Sequence, residues 1–418
     1  MLYSLHEAAY HSATPLRFAA NAARTFWGSP LNPASKTRLG RTLFASAELF
    51  ESLTRRYGRP AWGLEKVTIN GSDVAVRDEV VWSSPWVKLR RFSREPSDLR
   101  AAGAAVSAPP LLIVAPLSGH YATLLRGTVQ RFLTDFDVYV TDWANARDVP
   151  LLDGRFDFHH YIDHIITMLG RIGGRAHVVA VCQPGPPVMA AAALLAEDGD
   201  ANRPASVSLL GSPIDARLAP THTNRLAEER PFSWFQRAMI YTVPPPYPGV
   251  LRRVYPGFIQ LYSFMSLNVE RHQEAHRRYF DHLVEDDGDS VDKHREFYDE
   301  YLSVLDLTEE FYLQTVDIVF QRHLLPKGLL THHERPVRLE AITDIGIMSV
   351  EGENDDISGV GQTQAVHALT PNVPPALHEL YVQPKVGHYG VFNGRRFNDE
   401  IYPRIRDFIG RAQGGLSS

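Results

Sequence analysis

A single cysteine in 418 residues is the first scarcity, and it excludes any intramolecular disulfide and any zinc site built from several thiolates. Charge of one sign is also scarce. The balance is 43 basic against 48 acidic residues, a net charge of −5, with no long basic run, so the electrostatic footprint of a nucleic-acid binder is missing. Long apolar runs are lacking too: the longest, over 186–196, is far too short to span a bilayer. Residues 1–30 show no basic leader and interrupt every apolar stretch with polar residues. A cytoplasmic protein with no membrane span is expected, and one reduced cysteine agrees with that compartment. A chain that is 44% hydrophobic and 22% charged is not disordered, and its length calls for one large domain with additions, or two.

The texture of the chain changes several times. The first sixty residues read as helical and break at Tyr57-Gly58-Arg59-Pro60. Strand-like stretches at 64–69 and 86–92 follow, then a charged and Ala/Pro-rich connector over 94–110. Short apolar runs recur at 111–116, 137–141, 177–181 and 206–210, each leading into a helical pattern, which is the alternation of a mostly parallel α/β sheet with helices on both faces. From 215 to 336 the alternation stops and helical periodicity takes over; strand patterns resume at 345–350 and 380–382, and a helix over about 400–410 closes the chain. The expected organisation is a helical extension (1–60), an α/β core in two parts (61–214 and 337–418), and a mostly helical insertion (215–336). Insertions beyond the carboxyl ends of sheet strands cover ligands, so a lid is one expectation and an ordinary subdomain the other. Its aromatics Phe232, Trp234, Phe235, Tyr241, Tyr247 and Tyr255 suit either an apolar ligand or a core.

Cys182 stands where a strand, 177–181, turns sharply into a helix of small residues. That is the layout of a nucleophile elbow, although Ala180 and Pro184 replace the two flanking glycines of the usual signature. A helix amino end favours the thiolate, the reactive species, and the N–H of Gln183 is placed to meet an oxyanion. The alternative is a buried cysteine that fills space. Elbow nucleophiles are followed in sequence by an acid and then a histidine, and both are present. Asp355 and Asp356 compete for the acid's place just past the strand at 345–350, with Asp355 favoured, and His388 lies between glycines in Gly387-His388-Tyr389-Gly390. A second oxyanion donor is expected from the turn after 111–116, where Ser118 and His120 flank Gly119.

The chain resembles the intracellular polyhydroxyalkanoate (polyhydroxybutyrate) depolymerases with a cysteine nucleophile, nearly end to end. The resemblance rests on the start Met1-Leu2-Tyr3, the blocks 115–129 and 141–147, Val179-Ala180-Val181-Cys182-Gln183-Pro184, the block 350–359 and the block 387–394. It implies an α/β-hydrolase fold, a Cys182–Asp355–His388 triad, no cofactor, and the amorphous polyester of cytoplasmic granules or its oligomers as substrate, with the granule surface as partner and location. The alternatives are a polyhydroxyalkanoate synthase-like acyltransferase and a catalytically silent granule-binding protein. No Ser/Thr-rich linker leads to a separate polymer-binding module, which argues against attack on crystalline extracellular polymer.

Two histidine groups raise the question of a metal. His159, His160 and His164 with Asp163, and His272 with His276, share helix faces, but a zinc site needs three or four converging ligands and the sequence offers no further partner for either group. No metal is expected. Gly170 to Gly174 is not a phosphate-cradling loop, since no Gly-Lys-Ser/Thr follows it.

Overall fold

A computed structural model describes residues 2–267 and 269–414. Met1, Asn268 and residues 415–418, which the expected boundaries and the opening Met1-Leu2-Tyr3 block include, lie outside the described residues. The strands are β1 (Lys66–Ile69), β2 (Ser72–Ser83), β3 (Val87–Arg94), β4 (Pro110–Val114), β5 (Asp137–Trp143), β6 (His177–Val181), β7 (Ser206–Leu210), β8 (Tyr241–Thr242), β9 (Arg253–Tyr255), β10 (Leu307–Thr308), β11 (Thr331–His332), β12 (Arg335–Pro336), β13 (Gly346–Gly352) and β14 (His378–Gln383). Nine of them form one sheet in the order β1-β2-β3-β5-β4-β6-β7-β13-β14. β1, β2 and β3 run antiparallel to their neighbours, and every pair from β5 to β14 is parallel. This order, with a reversal between β5 and β4, is the α/β-hydrolase arrangement.

The central strands are apolar at nearly every position because helices cover both their faces. Leu111 to Val114, Val178 to Val181 and Leu209-Leu210 have almost no exposed surface. The polar side chains among them pair across the sheet: His177 Nδ1 lies 2.8 Å from Ser206 Oγ, its registered neighbour. Helices α4 (Pro96–Ala101), α5 (Arg126–Phe132), α6 (Phe158–Ile172) and α7 (Gly185–Glu197) alternate with these strands. α7 is buried from Gly185 through Leu195, and its alanines and valine let it lie close against the sheet. α6 begins at Asp157, whose carboxylate accepts from the His160 N–H at 3.0 Å, and stops at Gly173 with φ +72°. That stop is the role of the Gly170 to Gly174 stretch.

The largest departure from the sequence pattern is β2. Twelve residues form a strand although most are exposed and four are charged, because hydrogen bonding to β1 and β3 holds it rather than burial. Smaller differences are shifts of boundary: the second expected strand runs 87–94 rather than 86–92, and the closing helix is Tyr402–Gly414, preceded by a wide turn over Phe397–Ile401.

Between β7 and β13 the chain leaves the sheet, as α8 (His222–Glu229), α9 (Phe232–Ala238), α10 (Gly257–Leu267), α11 (Val269–Glu285), α12 (Gly288–Tyr301) and α13 (Glu309–Thr315), with a small β10-β9-β8 sheet and the hairpin β11–β12. The first sixty residues form α1 (Leu2–Ser12), α2 (Thr14–Trp27) and α3 (Arg38–Thr54), which brace this insertion. Tyr3 Oη donates to Asp306 Oδ2 at 2.7 Å, and Glu48 accepts from both Arg24 and Arg295, at 3.0 and 2.7 Å. Among the described residues no helix is long and apolar enough to cross a membrane.

Candidate active site

The site lies where ligands of parallel sheets lie, beyond the carboxyl ends of the strands. Four loops meet there, following β4, β6, β13 and β14. The turn after β6 places Cys182 at φ +66°, a left-handed backbone that costs a non-glycine residue about 1–2 kcal/mol and persists only where the surroundings enforce it. They do: the Cys182 N–H donates to Leu210 O at 2.8 Å, and its carbonyl accepts from the Gly185 N–H at 3.2 Å. Ala180 is fully buried in β6, and Pro184 sits in the first turn with φ −68°, where a missing N–H is harmless. The close approach that a glycine serves in this turn falls one position later, at Gly185, where a Cβ would lie 2.4 Å from Ser212 Cβ.

His388 and Asp355 come to the same point from β14 and β13. His388 Nδ1 lies 2.8 Å from Asp355 Oδ2, and Asp355 Oδ1 accepts the N–H groups of Ile357 and Ser358 at 2.9 and 2.8 Å. Both carboxylate oxygens are thus committed, on a side chain with no exposed surface. Asp356 is exposed, and of the two competing acids it is Asp355 that meets the histidine. The glycines around His388 act by size rather than by unusual φ: Gly387 has φ −88°, and a Cβ on Gly390 would lie 2.7 Å from that of Val386.

Cys182 lies close enough to His388 to bear on its imidazole, whose Nδ1 is taken by Asp355. Burial alone would push the imidazole pKa down, but the charges of Cys182 and Asp355 and the hydrogen bonds from both outweigh it and hold it well above 6.5. The arrangement favours a proton on His388.

Beside Cys182 and His388 opens a cavity of about 360 Å³. Its floor includes Leu117, Ser118, His120, Cys182, Gln183 and His388, and its roof comes from the insertion: Trp234, Phe235, Tyr255, Phe264, Phe311, Tyr312 and Phe320. Of the six aromatics singled out in the sequence, Trp234, Phe235 and Tyr255 line the cavity. Phe232 and Tyr241 pack against the main core, and Tyr247 hydrogen-bonds Arg56 and Glu7.

The turn after β4 brings both expected donor residues, Ser118 and His120, to the cavity wall. Gly119 between them has φ +109° and no room for a Cβ, which would meet Gln260 Cδ at 2.4 Å. The His120 ring is spent elsewhere: its Nε2 lies 3.0 Å from Tyr301 O, and burial pushes its pKa down to about 4. It is neutral and unsuited to act as a second general base. Leu117, which sequence reasoning passed over, belongs to the same turn. Its N–H donates to Gln183 Oε1 at 3.2 Å, a contact between residues 66 apart that only the adjacency of β4 and β6 creates.

Gly211 was also invisible in the sequence. It ends β7 at φ +57°, and a Cβ there would lie 3.1 Å from His388 Cε1 and 3.3 Å from Asp355 Oδ2. Gly211→Ala is therefore expected to displace the histidine. The loss of stability should be about 1–3 kcal/mol from the strained backbone and crowding, with a larger proportional loss of turnover. Denaturant unfolding alongside rate measurements checks this: full activity in the variant would show that the glycine is dispensable.

Residues 211–413 match the family model described as "PHB de-polymerase C-terminus", a span that contains Asp355 and His388 and begins after Cys182. No curated protein matches the chain. Solved structures similar to it include an epoxide hydrolase from Bacillus megaterium (11% identity, TM-score 0.45, covering 82% of this chain and 99% of that one). An esterase from Thermogutta terrifontis is similar at 13% identity and a TM-score of 0.41, covering 80% and 98%. A meta-cleavage product hydrolase from Pseudomonas fluorescens is similar at 13% and 0.41, covering 84% and 97%. At these values the strand order, not the likeness, carries the fold.

Proposed function

We propose, from the premise that residues 211–413 are a PHB depolymerase C-terminal domain within an α/β-hydrolase fold, that this chain hydrolyses the esters of amorphous polyhydroxybutyrate or short-chain polyhydroxyalkanoates and their oligomers. The observation that carries the reading is the Cys182–His388–Asp355 relay at the foot of an aromatic-roofed cavity. His388 holds the thiol proton, with its ring oriented by Asp355, and the Cys182 thiolate attacks an ester carbonyl carbon. The carbon–sulfur bond forms as the carbonyl π electrons move to oxygen. The Gln183 N–H and a backbone donor from Ser118 or His120 stabilise that oxyanion. Collapse breaks the carbon–oxygen bond, and the leaving alkoxide takes its proton from His388. A water molecule, deprotonated by the same imidazole, then cleaves the hydroxyacyl thioester and releases the acid.

The cavity supports the choice of substrate. At about 360 Å³ it is near the small end of the usual 300–1,000 Å³ range and suits a single flexible stretch of polyester, not a crystalline array. Its apolar roof matches a chain whose only polar groups are esters, and in this reading the insertion serves as the lid and the granule surface is where the substrate is met. Acid release from amorphous polymer by the purified chain, with no chain growth when hydroxybutyryl-CoA is supplied instead, is the expected result. Polymer growth from the thioester would favour a synthase-like acyltransferase.

Gln183 has a double place in this mechanism. Its backbone N–H is a proposed oxyanion donor, while its side chain holds the Leu117 N–H and leaves Nε2 without a partner among the described residues. Gln183→Ala keeps the backbone donor and removes the brace on the opposing turn. The expected effect is a fall of about tenfold in kcat with KM little changed, less than the 10²–10³ seen when an oxyanion donor itself is lost. Steady-state kinetics on a soluble hydroxybutyrate ester measures this, and an unchanged kcat would remove the side chain from the account.

A further inference from the structure

Away from the cavity, the fold brings together a group that the sequence scatters. Asp163 lies on α6, and His332 and His333 lie 169 and 170 residues later on the hairpin β11–β12 that ends the insertion. His332 Nε2 is 2.9 Å from Asp163 Oδ1, and His333 Nε2 is 2.9 Å from Asp163 Oδ2. One ligand atom from each of the three residues lies within 4.8 Å of the others. The sequence grouped Asp163 with His159, His160 and His164 on one helix; folding brings it two histidines from the hairpin.

We propose that Asp163, His332 and His333 bind a zinc ion that clasps the end of the insertion to α6. Two imidazole nitrogens and a carboxylate oxygen are a donor set for zinc and its transition-metal neighbours, whereas magnesium and calcium take oxygen ligands. Bonds of about 2.0–2.2 Å to a tetrahedral ion set neighbouring donors about 3.4 Å apart; the two 2.9 Å contacts reach different oxygens of Asp163, so one oxygen serves as the ligand and donors now within 4.8 Å of one another draw in by up to about 1.4 Å. A fourth position is left for water, beside the His159 ring that stacks on His333 at 5.2 Å. Asp163 and His333 are partly exposed, which gives the ion a path from solvent.

The hairpin is built to present these imidazoles before any ion arrives. Its two-residue turn has φ +45° at His333 and +69° at Glu334, a conformation that normally selects Asn-Gly. Arg335 next to it is anchored to Glu197 and Asp198 at the end of α7, at 2.7 and 2.8 Å. None of the three ligands lines the catalytic cavity, so the site is independent of the proposed hydrolysis.

The test uses the full-length chain stripped with a chelator and titrated with zinc chloride in a calorimeter. One tightly bound ion per chain is expected, with a rise of a few degrees in the thermal midpoint. His333→Ala, at an exposed position, and Asp163→Asn should each weaken zinc binding by more than about tenfold while the metal-free chain still folds. Cobalt(II) in the parent should give the intense visible bands of a four-coordinate ion, and these should vanish in both variants. Absence of a tight site in the parent, or zinc bound equally by parent and variants, overturns the proposal.

Discussion

Cys182→Ala is expected to lower ester hydrolysis by about 10⁴- to 10⁶-fold while leaving the protein folded, because removing an attacking nucleophile from a three-residue relay costs nearly all that the relay supplies. Stability should barely change. Alanine keeps the Cβ and inherits the same φ +66° backbone, with the same hydrogen bonds to the Leu210 carbonyl and from the Gly185 N–H. Cys182→Gly sharpens the point: glycine tolerates this backbone, so that variant should be equally inactive yet at least as stable as the alanine variant. Activity toward a soluble ester and the midpoint of denaturant unfolding, measured for both variants, check the pair of statements. Activity retained by either variant would place the nucleophile elsewhere and leave Cys182 as packing.

Asp355→Asn carries the second large effect, a fall of roughly 10⁴-fold in kcat. The reason lies in the committed oxygens. Oδ1 takes two backbone N–H groups, from Ile357 and Ser358, and an asparagine must keep its carbonyl oxygen there or leave two buried donors unpaired. Its amide nitrogen then faces His388 Nδ1, donor against donor, and the imidazole is driven to the tautomer that cannot take a proton from sulfur at Nε2. Losing the Asp355 charge also lowers the His388 pKa, which Cys182 and Asp355 together hold well above 6.5. A raised folded-state pKa stabilises the protein fully below about pH 6.5, and that stabilisation is lost as pH rises through the folded value. In the variant, with a lower folded value, this loss should be smaller and complete at lower pH. Stability against pH therefore reports the same interaction as the rate, and a variant whose pH profile matches the parent's would separate Asp355 from the histidine.

How far these side chains were legible in the sequence follows from the kind of signal each gives. The proposed relay of Cys182, Asp355 and His388 is legible by chain order and by position just past apolar strand patterns, because an elbow fold fixes that order. The choice between Asp355 and Asp356 turned on which carboxylate the loop directs inward, set by the Ile357 and Ser358 N–H groups, and adjacent residues in sequence cannot reveal it. Leu117 and Gly211 act through neighbours across the sheet, at distances in sequence of 66 and more than 140 residues, where no periodicity connects them. β2 escaped because hydrogen bonding, not an apolar face, holds it. The Asp163–His332–His333 group escaped because two of its three residues lie on a hairpin whose turn has none of the usual turn residues.

The central claim is an acyl group carried on the sulfur of Cys182. Brief exposure of the protein to a slowly deacylating hydroxybutyrate ester, acid quenching, and mass spectrometry of the digested chain test it directly. One hydroxyacyl mass on the peptide containing Cys182, absent from Cys182→Ala, is the predicted result; turnover of the ester with that peptide unmodified and the acyl group on another residue would contradict it.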